Sequence, residues 1–129
     1  MGYARVMSWN RSLAGFAALN GAMAVAVGAF AAHGAGPQVK TLLTTGASYQ
    51  LAHALLGLAC ALWSAAPRLA QIGGWMAAVG GLVFCLALSL IGLASLPAMG
   101  AVAPVGGVLM IAGWLVVALA VFRSPSVNA

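Results

Sequence analysis

Residues 69–96 read LAQIGGWMAAVGGLVFCLALSLIGLASL, an unbroken apolar run with no charged side chain. A helix needs about 20 apolar residues to cross about 30 Å of hydrocarbon. This stretch exceeds that length, so it reads as a spanning helix that tilts or protrudes. Three further apolar runs flank it: Leu13 to Ala32, Leu51 to Ala66 and Val102 to Phe122. The second is short, and Ser48, Tyr49 and Gln50 extend it at the interface. The expected spans are therefore residues 13–33, 48–66, 69–96 and 102–122, in one all-α membrane domain covering 1–129.

The composition agrees. Of 129 residues, 64% are hydrophobic and 4% charged, against about 25% charge in soluble domains. The breaks between runs carry Gly34, Gly36 and Pro37, then Pro67 and Arg68, then Pro97, Gly100 and Pro104, the expected helix stops. The tail from Ser124 reads as short and frayed. A signal h-region runs about 7–15 residues; the first run is longer and reads as an uncleaved helix. Between the first two spans, Val39, Leu42 and Leu43 fall on one face of a two-turn amphipathic pattern. That segment is expected to be either a short surface helix or a loop.

With four spans, Arg5, Arg11, Arg68 and Arg123 share one side and Lys40 alone takes the other. The positive-inside rule then puts both termini in the cytoplasm. The basic residues form no patch, so nucleic-acid binding is not expected. The lipid bilayer is the expected partner, joined by a second copy or a larger membrane protein.

In lipid, small residues that let backbones approach and polar groups that bond across mark the contact faces. His53, Gly57, Cys60 and Ser64 share one face of the second helix, with Leu51, Leu55, Leu58 and Leu62 opposite and expected to meet lipid. Ala17, Gly21, Ala24 and Gly28 line the first helix; Gly73, Ala77 and Gly81 the third; Gly106 and Gly113 the fourth. The expected result is a four-helix bundle.

Ionisable or strongly polar residues within a span are functional candidates. His33 closes the first helix, and Tyr49, Gln50 and His53 cluster near the start of the second, at the same outer end. They suggest a small polar site: a haem or metal between the two histidines, a proton-responsive contact, the outer mouth of a small-solute transporter or pore subunit lined by His33, Gln50 and His53, or hydrogen bonding between helices. Two imidazoles are too few for a closed zinc site. Asn20 reads as a further interhelical bond; Trp63, Trp75 and Trp114, with Tyr49, are amphipathic rings, of which those near run ends read as interface anchors; Cys60 and Cys85 read as inert packing. The chain has no Asp or Glu, which excludes an acid-dependent hydrolase and a carboxylate-cycling exporter. No phosphate or dinucleotide motif occurs. No enzyme activity and no cofactor are expected, and the favoured role is contact between helices.

Gly28-Ala29-Phe30-Ala31-Ala32-His33-Gly34 resembles the G-A-F-G-A-H-G signature of the YgdD-like family of small membrane proteins. Tyr49-Gln50-Leu51-Ala52-His53-Ala54-Leu55 resembles its Y-Q-x-x-H-A-L motif. Ala103-Pro104-Val105-Gly106-Gly107, followed by Ile111-Ala112-Gly113-Trp114, resembles its P-x-G-G and I-A-G-W ending. The resemblance implies a four-span bacterial inner-membrane protein whose molecular function is not established. Ala31 departs from the motif's second glycine, Phe84-Cys85-Leu86 departs from an F-S-G-S run, and the loop before Tyr49 lacks the acidic residues relatives carry.

Overall fold

A computed structural model describes residues 8–125. Arg5 and the tail residues 126–129, used above for orientation and fraying, lie outside them. The described chain forms α1 (Arg11–Gly34), α2 (Pro37–Leu62), α3 (Arg68–Leu93), a 3-10 turn (Pro97–Ala101) and α4 (Ala103–Arg123). Three segments are long and apolar enough to cross a membrane: α1, α3, and the 3-10 turn taken together with α4. The second helix is as long as α3 but carries polar residues through its first half.

The largest departure from expectation is where α2 starts. It begins at Pro37, eleven residues ahead of the expected Ser48. Gly36-Pro37 was read as a stop, but proline at the first helical position also opens a helix, because its missing N–H has no partner there anyway. The amphipathic segment is thus the first turns of α2 and no separate surface element. Its apolar face packs inward, since a Cβ on Gly92 would meet Val39, Leu42 and Leu43 at 3.3–3.5 Å. Hydroxyls within this half bond to their own helix, Thr41 to the Pro37 carbonyl and Ser48 to that of Thr44.

Successive helices run antiparallel. Near one end the Asn10 amide donates to the Ala61 carbonyl, while Gly28 meets Ala47 farther along α1 and α2. Each helix packs on its neighbour in sequence. In addition α1 touches α3, but α1 and α4 share no substantial contact. α2 and α3 pack at the centre, with α1 and α4 on the outside.

α3 carries two glycine faces. Gly73 and Gly80 meet α4, and Gly74 and Gly81 meet α2. A single stripe through Gly73, Ala77 and Gly81 is therefore split between two neighbours. A Cβ on Gly106 would lie 2.7 Å from the Phe84 amide nitrogen, and one on Gly113 2.9 Å from that of Ala77. Those distances force backbone against backbone. On α1, Gly28 makes only ordinary contact and Gly21 meets nothing within 4 Å, so Gly21 is no packing position within the monomer. Leu58, expected to face lipid, packs against the cluster of Leu13, Ala14, Cys60, Ala61 and Ala78.

Candidate functional site

Tyr49, Gln50 and His53 lie in the middle of α2, because the helix starts so early. His53 is sixteen residues beyond Pro37, about 24 Å of helix axis. His33 sits exposed at the opposite end of that interval, at the close of α1. The two histidines therefore form no joint site, and a haem or metal held between them is ruled out by distance. The polar outer mouth built from His33, Gln50 and His53 fails for the same reason. No group of three His, Cys, Asp or Glu side chains that could hold a metal occurs among the described residues.

The remaining polar residues of α2 point to different neighbours. Gln50 is fully buried and donates from Nε2 to Asn20 Oδ1 of α1 at 2.8 Å. Asn20 in turn donates to the Phe16 carbonyl at 3.0 Å. Gln50 Oε1 is buried and accepts from no described residue. This pair matches the expected interhelical role for Asn20, and its partner is Gln50.

His53 turns the other way. The Trp114 indole N–H donates to His53 Nε2 at 2.9 Å, across from α4. That bond makes Nε2 the acceptor, so Nδ1 carries the proton and donates to the Tyr49 carbonyl at 2.6 Å. Both ring nitrogens of a neutral imidazole are then satisfied. Trp114 sits mid-helix, away from the run ends where interface anchors were expected, and acts as a donor because His53 lies opposite it.

Around this pair lies a cavity of about 360 Å³ where α2, α3 and α4 meet. Its walls include Tyr49, His53, Phe84 and Trp114. Tyr49 lies parallel to His53 at 6.3 Å and edge-on to Phe84 at 5.3 Å, and His53 is edge-on to Trp114 at 5.9 Å. Residues from two of the motifs quoted above, Tyr49 and His53 with Ile111 and Trp114, are brought together here. A larger hollow of about 420 Å³ lies along Pro104, Val105, Val108, Leu109 and Ala112. All five belong to α4, so it is a furrow on one helix.

A second polar cluster was not anticipated. Asn10 caps α1 by accepting from the Leu13 amide at 3.0 Å and donates to Gln71 Oε1 at 2.7 Å. Gln71 reaches the Cys60 carbonyl at 3.3 Å. Together with the Asn10–Ala61 bond, the cluster satisfies carbonyls at the end of α2 and ties three helices at one corner. An asparagine ahead of an apolar run is a cap signal, so Asn10 was findable. Gln71, inside an apolar run, gave no pairing signal.

A family model described as a protein of unknown function, DUF423, matches residues 27–107. The chain belongs to the DUF423 family. Similar proteins include a UPF0382 membrane protein of Staphylococcus epidermidis, 34% identical over 82% of this chain and 91% of its own length. One from Staphylococcus saprophyticus is 33% identical over 82% and 92%, and one from Staphylococcus aureus 32% over 82% and 91%. No solved structure matches. The chain is thus a membrane protein of an uncharacterised family. The matched DUF423 segment includes Gln50 and His53 and ends at Gly107, ahead of Trp114.

Proposed function

We propose that this DUF423 protein is a four-span protein of the bacterial inner membrane that works through contact of α1 with a second copy of itself or with a larger membrane protein. In this reading it catalyses nothing. The observation that carries it is a contrast of outward faces. On α4 the exposed line is large: Val105, Val108, Ile111, Leu115 and Leu119. On α1 the middle of the exposed face is Gly15, Ala22 and Ala26, with Leu19 and Phe30 to one side and Val25 to the other. A Cβ on Gly15 would meet nothing within 4 Å. Lipid tails give no preference for small residues, whereas a neighbouring helix does, because small residues let backbones approach.

For α2 as a span, the support is its length and the disposal of its polar groups. Thr41 and Ser48 bond back to the helix, Gln50 and His53 bond to side chains of neighbouring helices, and Leu51, Leu55 and Leu62 face outward. Polar groups satisfied in this way can lie in hydrocarbon at reduced cost. For orientation, Arg11, Arg68 and Arg123 lie at the ends of antiparallel helices opposite Lys40, which favours both chain ends in the cytoplasm. The kinship with the YgdD-like proteins belongs to this same reading.

The test is disulfide cross-linking in native membranes from Ala22→Cys on α1. Cys60 and Cys85 are buried, so the introduced thiol is the reactive one. The expected product is a dimer or a larger adduct from Ala22→Cys and none from Leu115→Cys on α4. A monomer from both would remove the proposal.

A further inference from the structure

The cavity between α2, α3 and α4 is lined by no residue of α1, and the association proposed above leaves it unused. We propose that it binds a neutral, flat ring compound dissolved in the bilayer, one whose ring carries a carbonyl, as a quinone headgroup does. Three features support that chemistry.

The first is the wall. Small-molecule sites usually occupy about 300–1,000 Å³, and this one is about 360 Å³, the scale of a single substituted ring. Four rings from three helices surround it: Tyr49, His53, Phe84 and Trp114. Aromatic faces and edges favour another flat π-system over a saturated chain. No charged side chain lines it, so the ligand is neutral.

The second is the hydrogen-bond balance. Both nitrogens of His53 and the Trp114 N–H are already engaged. The Tyr49 hydroxyl has no hydrogen-bond partner among the described residues. Tyr49 is at the midpoint of α2. In the proposed threading this is deep in hydrocarbon, where a phenol finds no water and an unpaired donor is costly. A ring carbonyl supplies the missing acceptor; an acyl chain does not.

The third is access and floor. Tyr49, Ile111 and Trp114 are each at least half exposed, so entry is sideways from the bilayer. Gly107 also lines the cavity, and a Cβ there would meet nothing within 4 Å. The space above it is open to a ligand.

The experiment uses the full chain in lipid nanodiscs, titrated with a decyl-substituted benzoquinone and followed by tryptophan fluorescence. The expected result is saturable quenching. Gly107→Leu extends into the space where an added Cβ meets no atom within 4 Å and is expected to weaken binding at least ten-fold with an unchanged melting temperature. Tyr49→Phe keeps the ring and loses one hydrogen bond, an expected loss of about five-fold. Should Gly107→Leu fold poorly, Ile111→Trp narrows the same opening from the exposed side with the same expected loss. Two results would overturn the proposal. Quenching that rises linearly and equally in the well-folded filling variant reports partition into the bilayer only. Displacement of the quinone by decanol at equal affinity shows a groove for acyl chains, with no use for a ring.

Discussion

The α3–α4 seam and the α1–α2 seam are held by different means. Between α3 and α4 the backbones nearly touch. A Cβ on Gly80 would lie 2.8 Å from the Met110 amide nitrogen, and one on Gly106 2.8 Å from the Gly80 carbonyl. Between α1 and α2 the corresponding glycines are relaxed, with Gly28 at 3.8 Å from Ala47. There a buried side-chain bond, Gln50 to Asn20, joins the helices instead. In a medium where apolar burial gives no net attraction, close van der Waals packing and hydrogen bonding are the available forces. This molecule uses the first on one side of α3 and the second on the far side of α2.

The contrast predicts a graded mutational response. Gly106→Val should be the most damaging, because the new atoms meet backbone that cannot yield. A loss of about 3 kcal/mol or more is expected in detergent unfolding. Gly21→Val, on the relaxed helix, should change stability by less than about 0.5 kcal/mol. Equal losses at the two sites would erase the difference between the seams.

Next in size is the polar pair. A double-mutant cycle of Asn20→Ala and Gln50→Leu should show a coupling of about 1 kcal/mol, within the range measured for hydrogen bonds between membrane helices. Trp114→Phe should cost a similar amount, about 1 kcal/mol, by freeing His53 Nε2. A coupling near zero at Asn20–Gln50 would leave the α1–α2 seam to packing alone.

The smallest effects are at the turns. Ala65 and Ser95 have φ of 54° and 53°, a conformation that costs an L-residue roughly 1 kcal/mol. Ser95 closes α3, where the Leu96 amide returns to the Leu90 carbonyl. Ala65→Gly and Ser95→Gly should each raise stability, by up to about 1 kcal/mol less the added freedom of the unfolded chain.

Much of this architecture was legible in the residues. The runs at 13–33, 69–96 and 102–122 fall on α1, α3 and α4 within a few residues. The stripe His53, Gly57 and Cys60 is buried as expected, because periodicity and residue size decide which face a neighbour can approach. Ser64 was wrongly placed on it, since α2 ends at Leu62. What was not legible depends on partners that sequence spacing does not encode. Gly36-Pro37 is equally a stop and a start, and choosing wrongly moved His53 to the helix end and brought His33 within imagined reach. The Gln50–Asn20, His53–Trp114 and Asn10–Gln71 bonds each join residues thirty or more positions apart. The two faces of α3 were merged into one, because Gly73-Gly74 and Gly80-Gly81 are adjacent pairs that serve different neighbours.

The proposed threading rests on α2 crossing the bilayer, and the most direct measurement is thiol labelling from one side. Gln38→Cys and Ser64→Cys stand at exposed positions just inside the start and just past the end of α2. In spheroplasts treated with a membrane-impermeant maleimide, Gln38→Cys should label at once and Ser64→Cys only after lysis. Labelling of both from the same side would show that α2 does not cross, and the four-span reading would be wrong.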